Sequence, residues 1–216
     1  MDNISKGSNN FDSVSAHLPF SQACENNKQA ILEVLEKELV GYLHVLEVGS
    51  GTGQHGVYFA PNLPHLTWQT SDVVGNHSVI QAWLNAHPAS NLHAPLRLDL
   101  RTDCISHSSA AKPYDAVFTA NTLHIIAWSL VEKLFELMGS TLAIDGKLVI
   151  YGPFNENGQY TSAGNQQFDT ILRQGNPSSG IRNKEDVIAL ADHYDLAVYK
   201  QYAMPANNQM LIFKKR

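Results

Sequence analysis

From His44 the chain runs through a short apolar segment, Val45-Leu46-Glu47-Val48, into glycines at alternate positions, Gly49, Gly51 and Gly53, and then into a helix candidate from Gln54 to Ala60 that Pro61 ends. This strand, glycine turn and helix constrain the fold more than any other stretch. Glycine accepts positive φ and lets a ligand or another backbone come close. A strand that leads straight into a helix belongs to a parallel sheet, because parallel neighbours need a crossover connection.

The same alternation continues on both sides. Ile31, Val34, Leu35 and Leu39 recur at helical spacing between Asn27 and Leu39, with Gly41 as the stop. Leu66 to Thr70 predicts a second strand closing at Asp72. The helix after it is marked by Val79, Ile80, Trp83 and Leu84, with Asn76 as its N-cap. A third strand, His93 to Leu98, reaches Asp99, and a fourth spans Asp115 to Thr119. Leu130, Val131, Leu134, Phe135 and Met138 mark the next helix, which Ser129 and Glu132 open as a capping box. Lys147 to Tyr151 is the fifth strand. After a helix from Lys184 to His193, the strands Leu196 to Tyr202 and Met210 to Phe213 are joined by Pro205-Ala206-Asn207-Asn208, too short for a helix, so they form an antiparallel hairpin. The pattern predicts an α/β three-layer sandwich around a seven-stranded, mostly parallel sheet ending in that hairpin.

With 216 residues, 44% hydrophobic and 16% charged, residues 19–216 suffice for a single domain behind a Ser- and Asn-rich flexible leader, 1–18. The 15 Lys and Arg against 20 Asp and Glu, net charge −5, make no basic field, so no nucleic-acid partner is expected. The one dense basic run, Lys214-Lys215-Arg216, reads as a solvated terminus. No apolar run is long enough to cross a bilayer, so no membrane partner is expected. Cys24 and Cys104 lie far apart without metal-type spacing, which fits a reducing, cytoplasmic setting. The 10 histidines are scattered, so no metal is expected. Oligomeric state leaves no mark in the sequence.

Two registers of the glycine turn compete. Gly51-x-Gly53-x-x-Gly56 satisfies the dinucleotide fingerprint, with Asp72 near the place of a ribose-binding acid. Glu47-x-Gly49-x-Gly51-x-Gly53 instead puts a carboxylate on the last turn of the strand, which suits a cationic ligand and sits badly beside a pyrophosphate. Glu47 to Gly53, Asp72, Asp99 and the terminal hairpin together resemble class I S-adenosylmethionine-dependent methyltransferases, over nearly all of the chain after the leader. More narrowly, Ser50-Gly51-Thr52-Gly53-Gln54-His55, Trp68-Gln69-x-Ser71-Asp72, Ala120-Asn121-x-Leu123-His124, Tyr151-Gly152-Pro153-Phe154 and Met204-Pro205-Ala206-Asn207-Asn208 resemble the methyltransferase-like twenty-six group.

The resemblance implies S-adenosylmethionine as cofactor and a Rossmann-like methyltransferase fold. Gly49, Gly51 and Gly53 would lay the methionine part against the backbone, with Glu47 supporting the loop or, through water, the ammonium. Asp72 would accept both ribose hydroxyls, Asp99 the adenine amino group with Leu100 against the ring, and main chain near Ala120 and Asn121 the ammonium. Taken singly, Asp72 and Asp99 also fit ordinary strand-end turns; jointly they sit where open α/β sheets bind ligands. The group favours an Arg before Asn-Lys on the first helix, where this chain has Glu25-Asn26-Asn27-Lys28. Either Lys28 takes over the cofactor carboxylate or neutral donors hold it.

Methyl transfer from a sulfonium is an in-line displacement, in which positioning supplies much of the acceleration. His124, after the fourth strand, is the candidate base; hydrogen bonding at the helix entrance is the other role open to it. The long segment from Gly152 to Ile181, with Phe154, Asn155, Tyr160, Asn165, Phe168 and Arg173, and a short helix from Gln166 to Leu172, reads as a lid. With Tyr151 and Asn207 it would shape the pocket of a small-molecule acceptor, Tyr151, Phe154 and Asn207 being the contacts. Arg173 and Arg182 hint at an anionic acceptor or are solvated. A base-directed Asn/Asp-Pro-Pro-aromatic signature is absent, the place reading Ala120-Asn121-Thr122-Leu123. Two other functions stay open. One is a nicotinamide-dependent reductase, though no tyrosine has Lys four positions later; the other is a non-catalytic binding module on the same fold.

Overall fold

The computed structural model describes residues 18–103 and 114–216. The expected leader, apart from Leu18, and Cys104 lie outside the described residues. The elements are α1 (Gln22–Glu38), β1 (His44–Val48), α2 (Gln54–Asn62), β2 (Thr67–Asp72), α3 (Val74–Ala86), β3 (Leu92–Arg97) and β4 (Ala116–Ala120). They continue as α4 (Trp128–Thr141), β5 (Lys147–Asn155), α5 (Ala163–Gly175), β6 (Arg182–Asn183), α6 (Lys184–His193), β7 (Leu196–Met204), a 3-10 turn (Pro205–Asn207) and β8 (Asn208–Lys215).

The sheet order is β3-β2-β1-β4-β5-β8-β7, parallel from β3 to β5 and antiparallel at β8 and β7. The mostly parallel sheet and its terminal hairpin agree with the pattern in the sequence. The strand count is one higher, because β5 extends to Asn155 and two residues, Arg182 and Asn183, pair with Phe154 and Asn155. A pairing so short leaves no periodicity to read.

The period of two along each strand divides the core into two layers. Val45, Trp68, Phe118, Val149 and Ile212 face α1 and α2, meeting Ile31, Leu35 and Phe59. Leu46, Val117, Leu148, Ile150 and Phe213 face α4 and α6, meeting Leu134, Phe135 and Val187. At about 25 cal/mol per Å² of apolar surface, each fully buried large side chain contributes about 1.5–3 kcal/mol.

Two helix starts differ from expectation. Asn76 does not cap α3, which begins at Val74 after Val73; its side chain instead donates to Asp72 Oδ1 at 2.9 Å. Ser129 and Glu132 form no capping box, since α4 begins at Trp128 with the Ala127 carbonyl taking Leu130 N and Val131 N. The loop before α4 is held by Arg182, which donates to the carbonyls of Leu123 and Ile126. That tether across the chain, invisible locally, outranks the local capping signal. Among the described residues no helix is long and apolar enough to cross a membrane.

Candidate functional site

The strand order reverses between β1 and β4, and open α/β sheets bind ligands beyond the carboxyl ends of their strands at such a point. A cavity of about 1140 Å³ lies there. It is closed on one side by the first turn of α1 and the segment before it. Trp83 Nε1 donates to Pro19 O at 2.8 Å, and Ser21 N to Gln54 Oε1 at 2.6 Å. Ser21 also caps α1, accepting from Cys24 N at 3.3 Å. The sequence carried no pattern for this strap; Ser21, three residues ahead of Cys24, was its one local signal.

The glycine loop adopts left-handed backbone at Gly49 (φ 72°) and Gly51 (φ 58°). Gly49 N and Ser50 N donate to Ser71 O, both at 3.0 Å, tying the loop to β2. A Cβ on Gly49 would meet Thr122 Oγ1 at 2.9 Å, whereas one on Gly51 would meet nothing within 4 Å. Gly49 is therefore set by packing as well as by φ, and Gly51 by its backbone alone, with its open face toward the cavity. Gly51 N donates to Asp72 Oδ2 at 2.8 Å. Val73 N and Asn76 Nδ2 reach Asp72 Oδ1 at 2.7 and 2.9 Å. The carboxylate is thus oriented by three donors, with one lone pair of Oδ2 left for a ligand.

Asp99 and Leu100 line the cavity beyond β3. Arg101 forks onto Asp99, Nε to Oδ1 at 2.9 Å and Nη2 to Oδ2 at 2.6 Å, and this pairing holds the Asp99 carboxyl at about 2. Asn121, with φ 56°, lines the cavity after β4 and donates its N–H to Tyr151 O at 2.9 Å. Tyr151 lines it from β5, its hydroxyl pushed up by burial against the effect of a hydrogen bond with Asn27.

Four expected site residues stand off the cavity. Glu47 is buried beneath the glycine loop, accepting from Trp68 Nε1 at 2.9 Å. Burial pushes its carboxyl up to about 7, with the Asp72 charge adding to the rise and Trp68 and Ser50 opposing it. Its position on an inward-facing strand end keeps it from direct contact with a ligand. Gly53 caps α2, and a Cβ there would press on the Ile80 backbone at 3.3 Å, so its lack of a side chain serves helix packing. Phe154 falls on the other face of β5, 1% exposed in the layer of α4 and α6. Asn207 is exposed with φ 56°, its carbonyl taken by Asn165 Nδ2 at 3.3 Å, while Ala206 and Asn208 reach the cavity in its place.

His124 lines the cavity after β4, buried, its ring edge-on to Phe168 at 5.3 Å. Burial, then the Arg182 charge, lowers its imidazole to about 4, so the ring is neutral at pH 7. His55 also borders the cavity, but stacks on Phe59 and pairs with Asn27 Oδ1 at 2.7 Å. Asn165 and Phe168, from the long segment after β5, belong to the lining; that segment forms α5, six residues longer than the expected short helix. Arg173 is paired to Asp169, and Arg182 serves carbonyls, so neither presents a cation to the cavity. On α1, Lys28 turns to Glu25 and to the Tyr58 ring, leaving the neutral Asn26 and Asn27 at the cavity wall. Among the described residues no three His, Cys, Asp or Glu side chains gather as a metal site.

Solved structures with this architecture include proteins described as methyltransferases. The O-methyltransferase family 2 protein from Planctomyces limnophilus, solved with apigenin, matches with TM-score 0.77 and 15% identity, over 98% of this chain and 63% of that one. The S-adenosylmethionine-dependent methyltransferase SibL in its apo form matches with TM-score 0.74 and 16% identity, over 89% of this chain and 55% of that one. PigF with SAH matches with TM-score 0.71 and 9% identity, over 86% and 54%. The chain spans little more than half the length of most of these proteins. At such identities the likeness is one of fold. A family model described as "Protein of unknown function (DUF938)" matches residues 18–215.

Proposed function

Since the chain belongs to the DUF938 family and has a Rossmann-like methyltransferase fold, we propose that it is an S-adenosylmethionine-dependent methyltransferase of the cytoplasm acting on a small-molecule acceptor. The narrower resemblance to the methyltransferase-like twenty-six group belongs to this proposal, as does residues 19–216 acting as one domain. The observation that carries it is the pairing of Gly51 with Asp72: an open, left-handed glycine at the cavity face whose N–H orients a carboxylate at the end of the neighbouring strand.

The residues present fit the cofactor. Asp72, whose Oδ2 keeps a lone pair beyond the Gly51 N–H, would hold the ribose. Asp99, beside Arg101, would take the adenine amino group, with Leu100 against the ring. Main chain at Gly49 and Asn121 receives the methionine ammonium. The carboxylate is held by neutral amides of Asn26 and Asn27 and by the positive end of α1, whose first turn, Ala23 and Cys24, faces the cavity. Glu47 lies below this, without contact, as a buried carboxyl that gives up its proton only near pH 7.

Bound there, S-adenosylmethionine supplies an activated methyl group for in-line displacement. Tyr151 and Asn121 fix the acceptor opposite it, and burial by the strap and α5 excludes water. His124, neutral at pH 7, receives the acceptor proton at a ring nitrogen as the methyl group transfers.

The test is thermal unfolding with S-adenosylmethionine, S-adenosylhomocysteine, NADH and NADPH in parallel. A ligand at about 100 times its dissociation constant adds about 2.7 kcal/mol, a shift of several degrees. Stabilisation by the two adenosyl compounds alone is the expected result. Stabilisation by a nicotinamide would overturn it, and no response would favour a protein-binding module.

A further inference from the structure

The charge of the cavity lies at one end. Asp72 ends β2, while Asp99 and Arg101 follow β3; among the described lining residues these are the Asp, Glu, Lys and Arg side chains. The other end, built after β4 and β5 and by α5, presents Tyr151, His124, Ile125, Asn165 and Phe168. The charges nearest to it are already matched. Asp169 accepts from Tyr160 Oη at 2.8 Å, Arg173 Nε at 2.7 Å and Ile181 N at 2.6 Å. Arg182 donates to the carbonyls of Leu123, Ile126 and Ser178.

The same end carries apolar surface that the protein itself does not cover. Ile125 is 48% exposed and Phe168 38%, and both line the cavity. Helix α5 is turned inside out: its buried residues are the polar Asn165 and Asp169, while Phe168 and Ile171 are exposed. Asn165 and Asp169 anchor the helix by hydrogen bonds, which frees Phe168 to face the mouth instead of the core. An amphipathic helix normally buries its apolar stripe, and apolar side chains clustered at a cavity mouth mark a binding surface.

We infer that the acceptor is an uncharged, flat, aromatic molecule carrying a nucleophilic group such as a hydroxyl, seated between Phe168 and Ile125 with that group toward His124. This rests on the methyltransferase reading above. A charged acceptor would leave water at this end without a counter-ion, which is strongly unfavourable. A flat ring matches the offset and edge-on contacts that Phe168 and His124 offer.

The experiment is calorimetric titration of the full chain, saturated with S-adenosylhomocysteine, using β-naphthol, its ring sulfonate and the saturated alcohol decalol as probes. β-Naphthol is expected to bind about tenfold tighter than either of the others. Phe168→Ala should weaken β-naphthol about fivefold or more and leave S-adenosylhomocysteine affinity unchanged, and Ile125→Ser should act the same way. Both side chains are partly exposed, so neither change strains the core. Equal or tighter binding of the sulfonate or of decalol, no binding of β-naphthol, or indifference to both substitutions would overturn the inference and leave the methyltransferase reading in place. Failure of S-adenosylhomocysteine itself to bind would overturn that reading, and this inference with it.

Discussion

Glu38 and Glu47 are each 2% exposed, and their carboxyls shift in opposite directions. Glu38 ends α1 and meets Lys147 at 3.0 Å, Lys200 at 2.7 Å and the Tyr202 hydroxyl. Burial alone would raise it, but the hydrogen bonds from Lys200, Tyr202 and Lys147 bring it down to about 2. Glu47, under the glycine loop, has Trp68 and Ser50 as hydrogen-bond partners and no cation, and sits at about 7. Solvent reaches neither, but Glu47 lies deeper in the protein, and only Glu38 has cations beside it, so depth and partners together set the opposite shifts. The pairing at Glu38 is complete within the protein and serves the fold. At Glu47 no cation answers the carboxyl, which therefore keeps its proton up to about pH 7 beneath the cavity.

The largest effect expected of this contrast is at the complete pair. Lys147→Met leaves Glu38 buried with only the more exposed Lys200 and Tyr202, and should lower unfolding stability by about 3–5 kcal/mol at pH 7, measured by urea titration. A loss under about 1 kcal/mol would make the pair dispensable and break the comparison.

Glu47→Gln should do the reverse. A group whose folded value, about 7, lies above its ordinary 4.5 contributes stability below about 4.5 and loses it as pH rises through 7. Removing that titration should therefore raise stability above pH 7, by up to about 3 kcal/mol, and change little at pH 4. His124 and His55, both lowered from 6.5 to about 4 by burial, work in the other direction. Below about 6.5 the unfolded chain binds more protons, so their contribution is lost as pH falls toward 4. Wild-type stability should then be flatter between pH 4.5 and 6.5 than that of Glu47→Gln, which would keep only the histidine slope; parallel melting curves across pH would refute this.

Asp72→Ala tests the ligand side. It should weaken S-adenosylmethionine by about 1–3 kcal/mol and also lower stability, since Gly51 N, Val73 N and Asn76 Nδ2 lose their acceptor; unchanged affinity of the folded variant in a calorimetric titration would remove the ribose assignment. The smallest effect is at the strap. Ser21→Ala removes the cap of α1 and should cost about 1 kcal/mol of stability, with a small loss of affinity because the α1 turn borders the cavity. Thermal melts with and without ligand separate the two.

The fold was legible because its signals are local and repeated. β1 and α6 lie where the periodicity predicts them, and the missing helix between β7 and β8 dictates their antiparallel pairing. The site was legible in part. Gly49, Gly51, Asp72, Asp99, Leu100, Asn121, His124 and Tyr151 are brought to one cavity. Phe154 falls in the opposite layer from Tyr151 because one step along β5 reverses the face a side chain takes, a parity that only the strand's full pairing reveals. Gly53 and Glu47 carry the right residue types at the right turn, yet a motif does not say whether a glycine clears space for a ligand or for Ile80.

Read alone, the chain determined the order of its elements, the parallel sheet with its hairpin and the end of the sheet at which ligands gather, since these follow from period, glycine and chain connectivity. Tertiary structure decided which charges remain available. Arg182 is tied to the carbonyls before α4, Arg173 to Asp169, and Lys28 to Glu25 and Tyr58. Whether a charged side chain meets a ligand or a partner depends on contacts between residues distant in sequence, and such contacts exist only once the chain has closed on itself.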